Sequence, residues 1–107
     1  MIYLASPYSH IDPCVREDRF RAACRAAAGL LRSGRAVYAP IAHSHPLVEH
    51  GLPTHWEFWQ QCNVEHLERC DEVVVLMLEG WRESVGVQAE IRIAGELGKP
   101  VSFLDVE

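Results

Sequence analysis

The sequence predicts an α/β domain: one doubly wound parallel sheet of about four strands, in the order 2-1-3-4, with helices on both faces. Three observations predict it. Short apolar runs alternate with segments of 3.6-residue periodicity, the pattern of a parallel sheet with right-handed crossovers. The run Val73 to Leu78 is continuously apolar, as a strand covered on both faces requires. Caps and turn residues fall between the segments where such a fold needs them. The chain has 107 residues, so the domain count is one, spanning residues 1–107.

The elements follow in order. Ile2-Tyr3-Leu4-Ala5 is a buried strand stopped by Ser6-Pro7. Asp12-Pro13 starts a helix, with Asp as N-cap and Pro at the first helical position. Phe20, Ala23, Ala27, Leu30 and Leu31 form its apolar stripe, and Ser33-Gly34 ends it. Ala36 to Ala39 is a second strand, closed by Pro40. Ile41 to Pro53, rich in His, Pro and Gly, reads as a long loop of the kind that carries function. Thr54 and Glu57 match a capping box for a second helix running to about Cys70. Its inward positions are Trp59, Cys62 or Asn63, Leu67 and Cys70. Val73 to Leu78 is the third strand, broken by Gly80-Trp81. Ser84 caps a third helix that Gly98 ends, and Val101 to Leu104 is the last strand.

Composition narrows the function classes. Hydrophobic residues make up 49% and charged residues 23%, an ordinary globular balance. The net charge of −5 argues against gripping a polymeric nucleic acid, though not against one mononucleotide. The longest apolar run has six residues, against about 20 for a membrane helix. The opening Met1-Ile2-Tyr3-Leu4 lacks a basic region before its apolar stretch and does not read as a signal peptide. Cys14, Cys24, Cys62 and Cys70 contain no C-x-x-C pair, so free thiols and a cytoplasmic location are expected. The missing G-x-G-x-x-G argues against a dinucleotide fingerprint.

In such sheets ligands bind beyond the carboxyl ends of the strands, at the switch point between the first and third. The segments expected there are Ser6 to Ile11, Pro40 to His55, Glu79 to Ser84 and the tail after Leu104. They hold Ser6, Tyr8, Ser9, His10, His43, His45, Trp81, Glu83 and Ser84. Trp81 is the favoured base-stacking residue, with Trp56 and Trp59 assigned to core or subunit interface. Arg16, Arg19, Arg21 and Arg25 read mostly as a solvated helix face. His43, His45, His50 and His55 lack zinc-like spacing, so no metal and no other cofactor is expected; capping, packing or ligand contact is the favoured role.

The most informative residue is Glu90. At about 100° per residue, with Val87 as reference, it falls roughly 60° away, inside the stripe of Ile91, Ala94, Leu97 and Gly98. A carboxylate on the core side of a helix is rarely unpaired. The nearby helix N-terminus favours its ionised form, which suits a nucleophile or base. The other reading, slightly favoured on periodicity alone, is a salt bridge to Arg16, Arg19 or Arg92.

Ser84-Val85-Gly86-Val87-Gln88-Ala89-Glu90-Ile91-Arg92-Ile93-Ala94 resembles the S/D-x-G-x-x-x-E-x-x-x-A signature of the nucleoside 2-deoxyribosyltransferase-like superfamily. Ile2 to Tyr8 is similar to its first strand and loop, and Cys70 to Leu76 to the start of its third strand. The resemblance spans nearly the whole chain, and it looks closest to a short branch with Gly-Trp before the signature.

The resemblance implies a Rossmann-like fold and cleavage of an N-glycosidic bond in a nucleoside or nucleotide, with Glu90 attacking the anomeric carbon. It carries Tyr3 and Tyr8 over as residues that orient the carboxylate or shape the sugar pocket, and Gly86 as part of the signature. Two departures shape the expectation. Many members have an Asp eight residues before the Asp at the third strand, and here that position is Asn63, which cannot donate a titratable proton. Glu83, Glu65 and His43 are the other candidate acids. The signature opens with Ser84 where transferases have Asp, which favours a 5′-phosphate and hydrolysis over transfer. The alternatives are a non-catalytic nucleotide-binding module on the same fold and a metal-dependent hydrolase using the His loop. Family members are oligomers, so a homodimer or larger is expected.

Overall fold

The computed structural model describes residues 1–106. The elements are β1 (Ile2–Ala5), α1 (Pro13–Arg32), β2 (Val37–Tyr38), α2 (Pro40–Val48), α3 (Trp56–Arg69), β3 (Glu72–Leu76), α4 (Val85–Glu96) and β4 (Val101–Leu104). The four strands are parallel, in the order β2-β1-β3-β4. Tyr3 of β1 pairs with Tyr38 of β2 on one side and Val73 of β3 on the other. The switch point between β1 and β3 is therefore where the sequence places it.

Side chains alternate between the two sheet faces, so each face has its own core. One face buries Tyr3, Ala5, Val73 and Val75 with Leu67 of α3 and Val87 and Ala94 of α4. The other buries Ile2, Leu4, Val74 and Leu76 with Ala22 of α1 and Ala39. Tyr3, with no exposed surface, is the largest fully buried side chain. No helix of the described residues is long and apolar enough to cross a membrane.

The helix ends follow their sequence signals in two of four cases. The Asp12 side chain accepts from Cys14 N–H at 2.8 Å, with Pro13 behind it. Ser84 Oγ accepts from Val87 N–H at 3.2 Å. Gly34 and Gly98, both at positive φ, close α1 and α4.

Four expectations are corrected. The segment after β2 is not a loop throughout: Pro40–Val48 is a helix, making four helices in the described residues. Pro46 lies inside it and removes one backbone donor, which hides the helix from propensity. Burial of Ile41, Ser44 and His45 along one side holds it in place. The box at Thr54 does not form either. His55 is the N-cap of α3, its Nδ1 accepting from Phe58 N–H at 3.3 Å. The third strand ends at Leu76 and the second spans only Val37–Tyr38, both shorter than their apolar runs.

Candidate active site

A cavity of about 430 Å³ opens beyond the carboxyl ends of β1 and β3. Its floor is Ser6 and Glu90, and its rims come from the loop after β1, α2, the start of α3 and the start of α4. Of the residues expected at a site, Ser6, Tyr8, Ser9, Asn63, Ser84, Gly86 and Glu90 all line it. Sequence segments up to 84 residues apart converge there.

Glu90 is 4% exposed and accepts a hydrogen bond from Tyr3 Oη. The arginine partners considered for it are engaged elsewhere. Arg16 donates to His10 O, Arg19 donates to Ser9 O at 3.0 Å, and Arg92 lies 3.9 Å from Glu96. Burial pushes the Glu90 carboxyl from its ordinary 4.5 up to about 8, and the Tyr3 hydrogen bond only partly offsets this. The expectation that the carboxyl is held ionised is therefore corrected: burial favours its neutral form. Tyr3 is itself pushed well above its ordinary value by burial and by the Glu90 charge, so it stays a donor.

Ser6 Oγ is buried in the cavity wall with no hydrogen-bond partner among the described residues. An unsatisfied buried hydroxyl costs about 1–3 kcal/mol, which a ligand's hydrogen bond would relieve. Ser84 Oγ spends a lone pair on the α4 cap but keeps its own O–H free to donate. Beside it, Gly86 is close enough to α3 that an added Cβ would sit 3.5 Å from the Trp56 ring.

Five expected residues lie outside the lining. Tyr3 stands behind Glu90 and acts on the cavity only through it. His10 is exposed and its Nδ1 accepts from Asp12 N–H at 3.0 Å, a turn role. His43 is exposed on α2. His45 is buried behind Tyr8, bonded to it at 2.6 Å. Trp81 also departs from expectation. It packs on the α4-side core and against Phe103, with ring centroids 5.4 Å apart.

The aromatic walls are instead Trp56 and Trp59, which sequence reasoning assigned to core or interface. The signal for them was the cavity edge itself: the expected segment stopped at His55, one residue short of α3. Trp59 Nε1 donates to Pro53 O at 2.8 Å, which fixes its ring. Arg19 was also missed. It lines the cavity and ties its rim together, donating to Glu79 O at 3.1 Å as well as to Ser9 O. Periodicity could place Arg19 on a helix face but not against loops 60 residues away. Among the described residues no group of three or more His, Cys, Asp or Glu side chains converges to hold a metal ion. All four cysteines are free, and only Cys70 is buried.

A search of curated proteins found no match. Among solved structures, the chain is similar to a 2-deoxyribosyltransferase from the psychrotolerant bacterium Bacillus psychrosaccharolyticus, described as a biocatalyst for the synthesis of nucleosides. The two are 26% identical with a TM-score of 0.70, over 97% of this chain and 71% of that one. The profile of the family described as a domain of unknown function, DUF1937, matches residues 1–106. A four-stranded sheet of this order, on the 2-deoxyribosyltransferase fold, with that match along its length, makes the chain a member of the DUF1937 family.

Proposed function

We propose that the protein cleaves the N-glycosidic bond of a nucleoside or nucleoside 5′-monophosphate, with Glu90 as nucleophile and water as the favoured final acceptor. The observation that carries this reading is a buried carboxyl in the cavity wall, bonded to a tyrosine hydroxyl and, among the described residues, to no cation. A structural ion pair would look different.

In the first step the Glu90 carboxylate attacks the anomeric carbon and the base departs with the C–N electron pair. A glycosyl ester forms, as in retaining glycosidases. Water then attacks the anomeric carbon of the ester, breaks its bond to the Glu90 oxygen, frees the sugar and returns the carboxylate. Tyr3 holds one carboxylate oxygen, so the attack geometry is set by β1. Trp56 and Trp59 offer faces for a base, while Ser84 and the free N–H groups at the start of α4 suit a 5′-phosphate. His10, His43 and Trp81 are dropped from the ligand contacts. His45 is kept as a support of Tyr8. Four free thiols and the absence of a long apolar helix in the described residues accord with a cytoplasmic protein.

The test is incubation with deoxynucleosides and their 5′-monophosphates, followed by chromatography for free base. Mass spectrometry of the quenched protein should find a deoxyribosyl adduct on Glu90. Glu90→Gln should abolish both. The second reading, a non-catalytic nucleotide-binding module, is motivated by Asn63 and by a carboxyl that burial keeps neutral at pH 7. Binding of a monophosphate with no base release over long incubation would decide for it.

A further inference from the structure

Cleavage of the bond needs a proton for the departing base, and Asn63 in the cavity wall cannot supply one. Glu57 and Glu83 reach the cavity only at its exposed rim. A different group of side chains meets the cavity from behind. Tyr8 lines it, and the Tyr8 hydroxyl lies 2.6 Å from His45 Nδ1. His45 Nε2 lies 2.9 Å from Glu17 Oε1. The imidazole is 9% exposed and stacked on Phe20, with ring centroids 4.3 Å apart.

We infer that Glu17, His45 and Tyr8 form a proton relay, running from the surface of α1 through α2 to the cavity, that protonates the leaving base. This rests on the glycosidase reading above and supplies the acid which that reading lacks.

The hydrogen-bond directions follow from the donor inventory. A carboxylate only accepts, so Nε2 carries a proton toward Glu17. In the neutral imidazole Nδ1 is then an acceptor, and Tyr8 spends its O–H on it. Adding a proton at Nδ1 reverses that bond: Nδ1–H donates to Tyr8 Oη, and the Tyr8 O–H is freed to turn toward the cavity. Glu17 is suited to stabilise the imidazolium, because the His45 bond, then Arg21, hold its carboxyl below the usual range. Burial raises the Tyr8 hydroxyl, so it passes a proton on rather than resting as phenolate. The other charged or titratable groups facing this set are Arg16 and Glu49 around Tyr8, Arg19 on the Ser9 carbonyl, and Cys24 beside Glu17.

The step balances. As the C–N bond breaks, its electron pair goes to the base nitrogen, which takes the Tyr8 proton. Tyr8 takes the Nδ1 proton, leaving neutral His45, while Glu90 forms the new C–O bond. When water attacks the ester, its proton returns through Tyr8 to Nδ1 and the Glu90 carboxylate is restored. Tyr8 is the catalytic residue of the three; His45 and Glu17 act through it.

The test compares two leaving groups on one sugar phosphate. One is a purine base, which must be protonated to leave. The other is 4-nitrophenolate, which leaves as an anion. Tyr8→Phe should lower purine release by about 100-fold or more, the range of a general acid, and nitrophenolate release by about threefold at most. Glu17→Gln, at a side chain 40% exposed and so safe for folding, should show the same selectivity with a smaller loss, about tenfold. Glu90→Gln should abolish release of both. Equal losses for the two leaving groups in Tyr8→Phe, or none, would overturn the relay while leaving the glycosidase reading intact. Release of neither by the wild-type protein would overturn both.

Discussion

Replacing Glu90 with Gln should stabilise the protein, by an amount that depends on pH. The folded carboxyl binds its proton up to about pH 8, against an ordinary 4.5. Between those values the folded chain holds a proton that the unfolded chain releases. Stability from this group is therefore complete below about pH 4.5, falls as pH rises through the window, and is lost above about pH 8. At roughly 1.4 kcal/mol per pH unit, the loss reaches about 3 kcal/mol at pH 7 and about 5 kcal/mol beyond the window. Gln cannot ionise and escapes the loss. Its amide oxygen can still accept from Tyr3, and its unpaired N–H resembles the O–H of the protonated acid, so any residual penalty is nearly independent of pH. Near 100 residues, about 3 kcal/mol corresponds to roughly 10–20 °C in Tm. Urea denaturation of both proteins from pH 4.5 to 8 measures the difference. The curves should converge at the acid end and diverge steadily toward pH 8. A variant that is less stable throughout, or a gap that does not change with pH, would show that the carboxylate is paired in the fold, and would remove the reason for treating Glu90 as a desolvated nucleophile.

Other expectations bear on the same site. The rate for nitrophenolate release should rise about tenfold per pH unit below an inflection near 8, since only ionised Glu90 attacks, and a flat profile from pH 6 to 8 would contradict this. Tyr3→Phe removes the one bond that lowers the Glu90 value, so that inflection should move upward while stability falls by about 1–2 kcal/mol, both read on one preparation. Gly80→Ala is strained at φ +91° and brings a Cβ to 2.7 Å from Arg19 Nη2; it should cost about 1–3 kcal/mol and loosen the cavity rim, seen as faster amide exchange in the loop after β1. Exposed Phe103 on edge strand β4 and exposed Phe58 on α3 motivate a homodimer or larger, and a light-scattering mass near 12 kDa across micromolar concentrations would refute it.

The existence and order of the strands and most helix ends were legible in the sequence before folding, because those depend on local rules. A four-residue apolar run before Ser6-Pro7, an Asp12-Pro13 cap and the glycines Gly34 and Gly98 after α1 and α4 have one reading each. The sequence also singled out Glu90, since a carboxylate inside an apolar stripe conflicts with its surroundings at a spacing that needs no coordinates. The tertiary structure decided the rest. Helix α2 exists because its buried side packs against α1 and β1, which outweighs Pro46. The protonation of Glu90 depends on how completely the cavity floor excludes water, which a helix dipole argument leaves out. Whether Trp81 or Trp56 and Trp59 line the cavity depends on how α3 sits over the sheet. The chain Glu17, His45 and Tyr8 joins three segments with no shared periodicity. Local patterns set which face of an element is apolar, but contacts between residues far apart in the chain are fixed only when the faces pack.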